Sequence, residues 1–199
     1  MNEKTQRWNN TYSAVLDYPA PNRELHRYRA LLPKQGLALD VACGLGADAL
    51  YLADQGFDVI AWDGSVIAID RLQAEAKVRA IDLDAACLEI TPKAFTAERF
   101  DLIYVHRYLD REIMPAMIQG LKPGGVLFYQ TFLQGADTSA SPAAGPTNNA
   151  YRLATNELLT HCSALTIKLF IEGFAIDAAT QGLQPAAMSL IIAAKPNPS

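Results

Sequence analysis

The chain has 199 residues, half of them hydrophobic and 19% charged, with a formal net charge of −4. That length supports a substantial core in one domain over 1–199, and that composition excludes a disordered protein. The acidic balance argues mildly against a nucleic-acid partner, because phosphate contacts need clustered Lys and Arg, although Arg23, Arg27 and Arg29 are close enough in sequence for a local basic patch. Cys43, Cys87 and Cys162 are widely spaced with no Cys-x-x-Cys pair, so no metal site and no disulfide framework are expected. Met1 leads into polar residues, and no apolar run is long enough for a bilayer. The expectation is a cytoplasmic protein without membrane contact, monomer or homodimer.

Residues 1–22 are polar, with Trp8, Tyr12 and Tyr18 set among Asn and Thr, and read as a terminal arm. Asn22 can cap a helix over 22–32, which Pro33 and Gly36 stop. Residues 37–41 form the first strand, and 47–54 a helix that Gly56 ends. Residues 57–62 are strand two, ending at Asp63, and Ser65 caps a helix from 66 to about 80. Residues 85–90 are strand three and 101–105 strand four. A helix over 111–119 leads to a turn at 121–125 and strand five at 126–131.

From 134 to 149 the composition shifts to Ala, Ser, Pro, Gly and Asn, which predicts a long loop near the substrate side. A helix follows over 157–161, then strands six and seven at 165–172 and 188–194. Alternating strands and helices predict an α/β fold: a Rossmann-like, doubly wound, mostly parallel seven-stranded sheet. Strands six and seven lack a long helix between them, so the last strand is expected to run antiparallel.

Gly44-Leu45-Gly46-Ala47-Asp48-Ala49 follows strand one and opens a helix, as a dinucleotide-binding turn does. Asp63 ends strand two, where a carboxylate can accept from ribose hydroxyls, although Asp before Gly64-Ser65 is also a common turn residue. This pattern indicates an adenosine-containing ligand without distinguishing NAD from others.

Asp40-Val41-Ala42-Cys43-Gly44-Leu45-Gly46 resembles motif I of the class I S-adenosylmethionine-dependent methyltransferases. Phe100-Asp101-Leu102-Ile103 is similar to that family's strand four, and Leu121-Lys122-Pro123-Gly124-Gly125-Val126-Leu127 to its turn into strand five. Trp8-Asn9-x-x-Tyr12 resembles the N-terminal lid of small-molecule members, so 1–35 would form a lid and helix. Arg107-Tyr108-Leu109 and Asn149-Ala150-Tyr151-Arg152-Leu153 are similar to segments of the compact tellurite-resistance-type members.

The resemblance implies S-adenosyl-L-methionine as cofactor and a small molecule as methyl acceptor. Asp40 would sit by the methionine end, with the backbone of Ala42, Cys43, Gly44 and Gly46 beneath it. Asp63, Gly64 and Ser65 would hold the ribose, and Cys87, Leu88 and Glu89 would border adenine, with Val105 beside the cofactor and Trp8 and Tyr12 over it. Ala42 stands where the family often has glycine, and Cys87 where it often has Asp; a thiol is a weak acceptor.

Methyl transfer needs a base only if the acceptor arrives protonated. His106, after strand four, is the catalytic candidate, a structural histidine being the alternative. Arg107 could attract an anion or pair with Asp110; Tyr108, Tyr151 and Arg152 are expected pocket walls. The Asn/Asp-Pro-Pro-Tyr/Phe signature of amino-methylating enzymes does not follow strand four. Two other readings stay open: a cofactor-binding regulatory protein without turnover, and an NAD(P)-dependent oxidoreductase.

Overall fold

The computed structural model of the chain describes residues 3–135, 145–176 and 185–198. The elements are α1 (Glu3–Ala14), α2 (Arg23–Arg27), a 3-10 turn at Arg29–Leu31, β1 (Gly36–Val41), α3 (Ala47–Asp54), β2 (Phe57–Asp63), α4 (Val66–Val78) and β3 (Asp84–Cys87). There follow β4 (Phe100–His106), α5 (Met114–Gly120), β5 (Leu121–Phe132), a 3-10 turn at Asn149–Tyr151, α6 (Glu157–His161), β6 (Thr166–Ile176) and β7 (Pro185–Ala194). Most of the expected 134–149 loop, residues 136–144, lies outside the described residues, as does 177–184 between β6 and β7.

The seven strands make one sheet in the order β3-β2-β1-β4-β5-β7-β6. The β1, β2, β3, β4 and β5 pairings are parallel, and β7 runs antiparallel to both β5 and β6. The expected mixed sheet is therefore the observed one. Strand order reverses direction between β1 and β4, which opens a crevice at their carboxyl ends.

Side-chain alternation sorts the core into two layers. Leu39, Val41, Ile103, Val105, Leu127 and Tyr129 face Met114 and Met117 of α5 and Leu158 of α6. Ala38, Val59, Ala61, Leu102, Tyr104 and Phe128 face Ala49, Leu50 and Leu52 of α3 and Leu72 and Ala76 of α4. Continuing that second parity along each strand brings Asp40, Asp63 and His106 to the α3–α4 side of the strand ends.

Several boundaries differ from expectation. The N-terminal arm is a helix, α1, docked on α4: Asn9 Oδ1 accepts from Ser65 Oγ at 2.6 Å, and Arg71 donates to the Tyr12 and Val15 carbonyls. The helix expected over 22–32 stops at Arg27 and tightens into the 3-10 turn, with the Arg29 guanidinium bonding the Pro33 and Lys34 carbonyls. Asn22 caps α2 by accepting from Glu24 N–H at 3.0 Å. α5 starts at Met114 rather than 111, because Pro115 lacks an N–H and suits only a first turn.

β3 ends at Cys87, where the Leu88 N–H bonds the Asp63 carbonyl and the chain leaves β2. The expected turn at 121–125 is an irregularity inside β5: the register passes from Phe100↔Leu121 to Leu102↔Val126. Gly124, at φ +76°, donates its N–H to the Lys195 carbonyl there.

Candidate functional site

The turn after β1 is built from left-handed backbone. Ala42, Gly44 and Gly46 have φ of +57°, +55° and +75°. Glycine takes such angles freely, whereas Ala42 bears the cost of a Cβ. A Cβ on Gly46 would lie 2.4 Å from Leu72 Cδ1, so this position also needs the space. A Cβ on Gly44 would stand 2.8 Å from the Tyr12 hydroxyl, which shows how closely α1 covers the turn. Trp8 stacks on Tyr12 with ring centroids 5.6 Å apart, and Tyr18 O–H bonds the Leu45 carbonyl.

Three aspartates surround this turn. Asp40, 2% exposed, keeps Oδ2 without a hydrogen-bond partner. Burial, then the charges of Asp48 and Asp63, push its carboxyl well above the usual carboxylate range, against one opposing bond from the Ala49 N–H. Asp63 accepts the Gly44 N–H through Oδ2 and the Ser65 N–H through Oδ1, each at 2.8 Å. Burial raises its carboxyl too, with those backbone bonds working against the rise. Burial also opposes ionisation of Asp48. Its bonds to His106, the Asn22 N–H and Tyr104 outweigh that and hold it below the ordinary range.

The remaining residues singled out from the sequence fall as follows. The Cys43 thiol is pushed up by burial and by Asp40 and Asp63, so it stays protonated. Ser65 is fully buried, its oxygen accepting from Ala68 N–H as the cap of α4 and its O–H donating to Asn9. Cys87 pairs with Asp63 across the sheet, is exposed, and donates its S–H to the Gly64 carbonyl at 3.7 Å. Leu88 is half-buried and Glu89 exposed beyond it. Val105 is fully buried between Val41 and Tyr129.

At the β4 end, His106 Nδ1 lies 3.2 Å from Asp48 Oδ2. Arg107 has φ +57° and bonds the Gln130 carbonyl through its N–H. Asp110 accepts from Tyr108 O–H at 3.5 Å and from Glu112 N–H. Tyr151 is 43% exposed, whereas Arg152 is buried and donates to the carbonyls of Pro146 and Leu133. The Arg152 guanidinium thus holds backbone together behind the pocket wall expected of it. Asp48 and Arg111 are not among the residues singled out from the sequence, and Asn22 is expected there only as a helix cap, not as a donor to Asp48. Arg111 forks onto Glu157 at 2.6 and 3.0 Å and also bonds the Ala150 and Arg152 carbonyls.

The reversed β7, the switch point between β1 and β4, and the acid-flanked glycine turn there together define the class I methyltransferase fold. Two solved structures share it. TehB from Haemophilus influenzae superposes with a TM-score of 0.73 at 20% identity, covering 94% of this chain and 67% of that one. A geranyl diphosphate C-methyltransferase from Streptomyces coelicolor, in complex with Mg2+, geranyl diphosphate and S-adenosyl-L-homocysteine, gives 0.69 at 15% identity, covering 98% and 99%. The chain belongs to the TehB family, described as "Tellurite resistance protein TehB", whose profile matches residues 26–170. A relative from Haemophilus influenzae named "Probable S-adenosyl-L-methionine-dependent methyltransferase TehB" is 30% identical over 127 residues, covering 60% of this chain. That match spans 42% of the relative, so the chain matches less than half of the relative's length.

Proposed function

We propose that the chain is an S-adenosylmethionine-dependent methyltransferase acting on a small molecule, with residues 1–199 working as one domain. The observation that carries the reading is the buried, unpartnered Oδ2 of Asp40 within a cluster of three aspartates around the glycine turn. A buried acceptor of this kind is costly unless a ligand supplies a donor. An ammonium answers that need, and a sulfonium further offsets the acidic field. NAD would instead bring a diphosphate into it.

The residues present fit the cofactor. Asp40 would accept from the ammonium, and the backbone from Ala42 to Gly46 would pass under the amino-acid end. Each Asp63 oxygen already accepts one N–H and retains capacity for a ribose hydroxyl. Cys87 and Leu88 would border adenine through largely apolar contact. α1 would cover the site through Tyr12 and Trp8 and exclude water. When bound, the cofactor supplies an electrophilic methyl group on a sulfonium. The chain's main task is then alignment and desolvation of the acceptor, which would enter past Arg107, Tyr108 and Tyr151.

The family membership and the relative's name support the reading. Cytoplasmic location is part of the proposal; among the described residues no helix is long and apolar enough to cross a membrane. Labelled-methyl transfer to thiols, amines, phenols and oxyanions tests it. Transfer to at least one acceptor is expected. Tight cofactor binding with no transfer to any would favour a regulatory protein instead.

A further inference from the structure

Asp48, besides adding its charge to the aspartate cluster, lies at the centre of a hydrogen-bonded set that reaches the end of β4. Its Oδ1 accepts the Asn22 N–H at 2.6 Å. Its Oδ2 accepts the Tyr104 O–H at 2.8 Å and faces His106 Nδ1 at 3.2 Å. Asn22 Nδ2 donates to Tyr104 Oη at 3.0 Å and to Gln130 Oε1 at 2.7 Å. Asp48 is thus fixed by a backbone donor and a tyrosine that is itself held in place. An ionised carboxylate only accepts, so the Nδ1 facing it carries the proton. Nε2 of the neutral ring then holds the lone pair. Among the described residues Nε2 makes no hydrogen bond, and the side chain is 21% exposed.

His106 is the last residue of β4, one past Val105, which pairs with the last residue of β1. The ring therefore stands at the switch-point crevice, on the α3 side with Asp40. We infer that Asp48 and His106 form a base pair in which Asp48 positions the ring and His106 Nε2 takes the proton of a protic acceptor, an O–H or N–H group. The inference rests on the methyltransferase reading and deepens it, since a soft anion would need no base.

The step balances. The acceptor X–H loses its proton to Nε2 as the X–CH3 bond forms. The S–CH3 bond breaks with its electron pair left on sulfur, so the positive charge passes from sulfonium to imidazolium, and water then removes the proton. The ionisable groups facing the pair are Asp40 from β1, Tyr104 on β4 and the neighbouring Arg107. Asp48 is the positioning residue. Asp48→Asn would present an amide N–H to Nδ1 and move the ring proton to Nε2.

The test uses 15N NMR of the full chain labelled at histidine, whose three histidines are separated by a His106→Gln control. In the ligand-free protein above neutral pH, His106 is expected to carry its proton on Nδ1, and Asp48→Asn is expected to reverse this. With catechol or imidazole as acceptor, both variants should lose about 10²–10⁴-fold in kcat. S-adenosylhomocysteine affinity should stay unchanged in His106→Gln. A wild-type His106 protonated on Nε2, or a His106→Gln variant as fast as wild type, overturns the dyad. The tautomer needs neither cofactor nor acceptor. Loss of S-adenosylhomocysteine binding by the wild type would instead overturn the methyltransferase reading alone.

Discussion

Arg71 on α4 donates from one guanidinium nitrogen to the carbonyl of Tyr12 at 2.6 Å, near the end of α1. The same nitrogen reaches the Val15 carbonyl at 2.7 Å. Terminal carbonyls of a helix lack intrahelical partners, and a cation there also meets the negative end of the helix dipole. Arg71 therefore holds the covering helix over the glycine turn. Arg71→Ala is expected to cost about 1–3 kcal/mol of stability and to speed amide exchange across α1 while leaving β1 protected. Unchanged exchange in α1 would show that Trp8 and Tyr12 dock it without Arg71.

Asp40 makes the stability of the folded chain depend on pH. Burial raises its carboxyl in the folded chain well above its value of about 3.9 in the unfolded chain. The folded protein thus holds that proton more tightly. The stability this confers is fully present below about pH 4 and is lost as pH rises through the raised folded value. Wild-type stability should fall relative to Asp40→Asn over that window, read from urea midpoints in the absence of ligand. A cationic ligand beside the ionised carboxylate reverses the trend, so stabilisation by S-adenosylmethionine should grow with pH. Parallel pH profiles for the two proteins would contradict the burial of an ionisable Asp40.

The turn itself makes opposite predictions at two positions. Gly46→Ala meets both a left-handed φ and the Leu72 side chain, and should destabilise by about 2–4 kcal/mol. Ala42→Gly removes a Cβ from a left-handed residue but adds unfolded-chain entropy, and should be stabilising by at most about 1 kcal/mol. Urea unfolding of both variants checks the pair. A destabilising Ala42→Gly would mean that its methyl group packs more than its backbone strains.

Local signals made much of this readable in advance. α3 has the boundaries expected from Gly46 and Gly56, because glycine punctuates both ends. The period-two alternation of β1, β2 and β4 already carries the shared face of Asp40, Asp63, Tyr104 and His106. What stayed hidden depends on distant partners. α1 is mostly polar, and its docking comes from Ser65 and Arg71, each more than fifty residues away in the chain. Asp48 looks like an ordinary first-turn acid of α3. Its partners Asn22, Tyr104 and His106 stand 26, 56 and 58 residues away, and no local pattern announces them. The residues 122–125 read as a turn from Pro123-Gly124-Gly125, yet β4 and the Lys195 backbone keep them at the sheet.

The most direct test is calorimetric titration of the wild type and Asp63→Ala with S-adenosylmethionine and with NAD. The wild type should bind S-adenosylmethionine and not NAD. Asp63→Ala should weaken that binding by about 1–3 kcal/mol, the cost of leaving polar partners unmatched. Binding of NAD alone, or an S-adenosylmethionine affinity unchanged in Asp63→Ala, would contradict the assignment of this crevice.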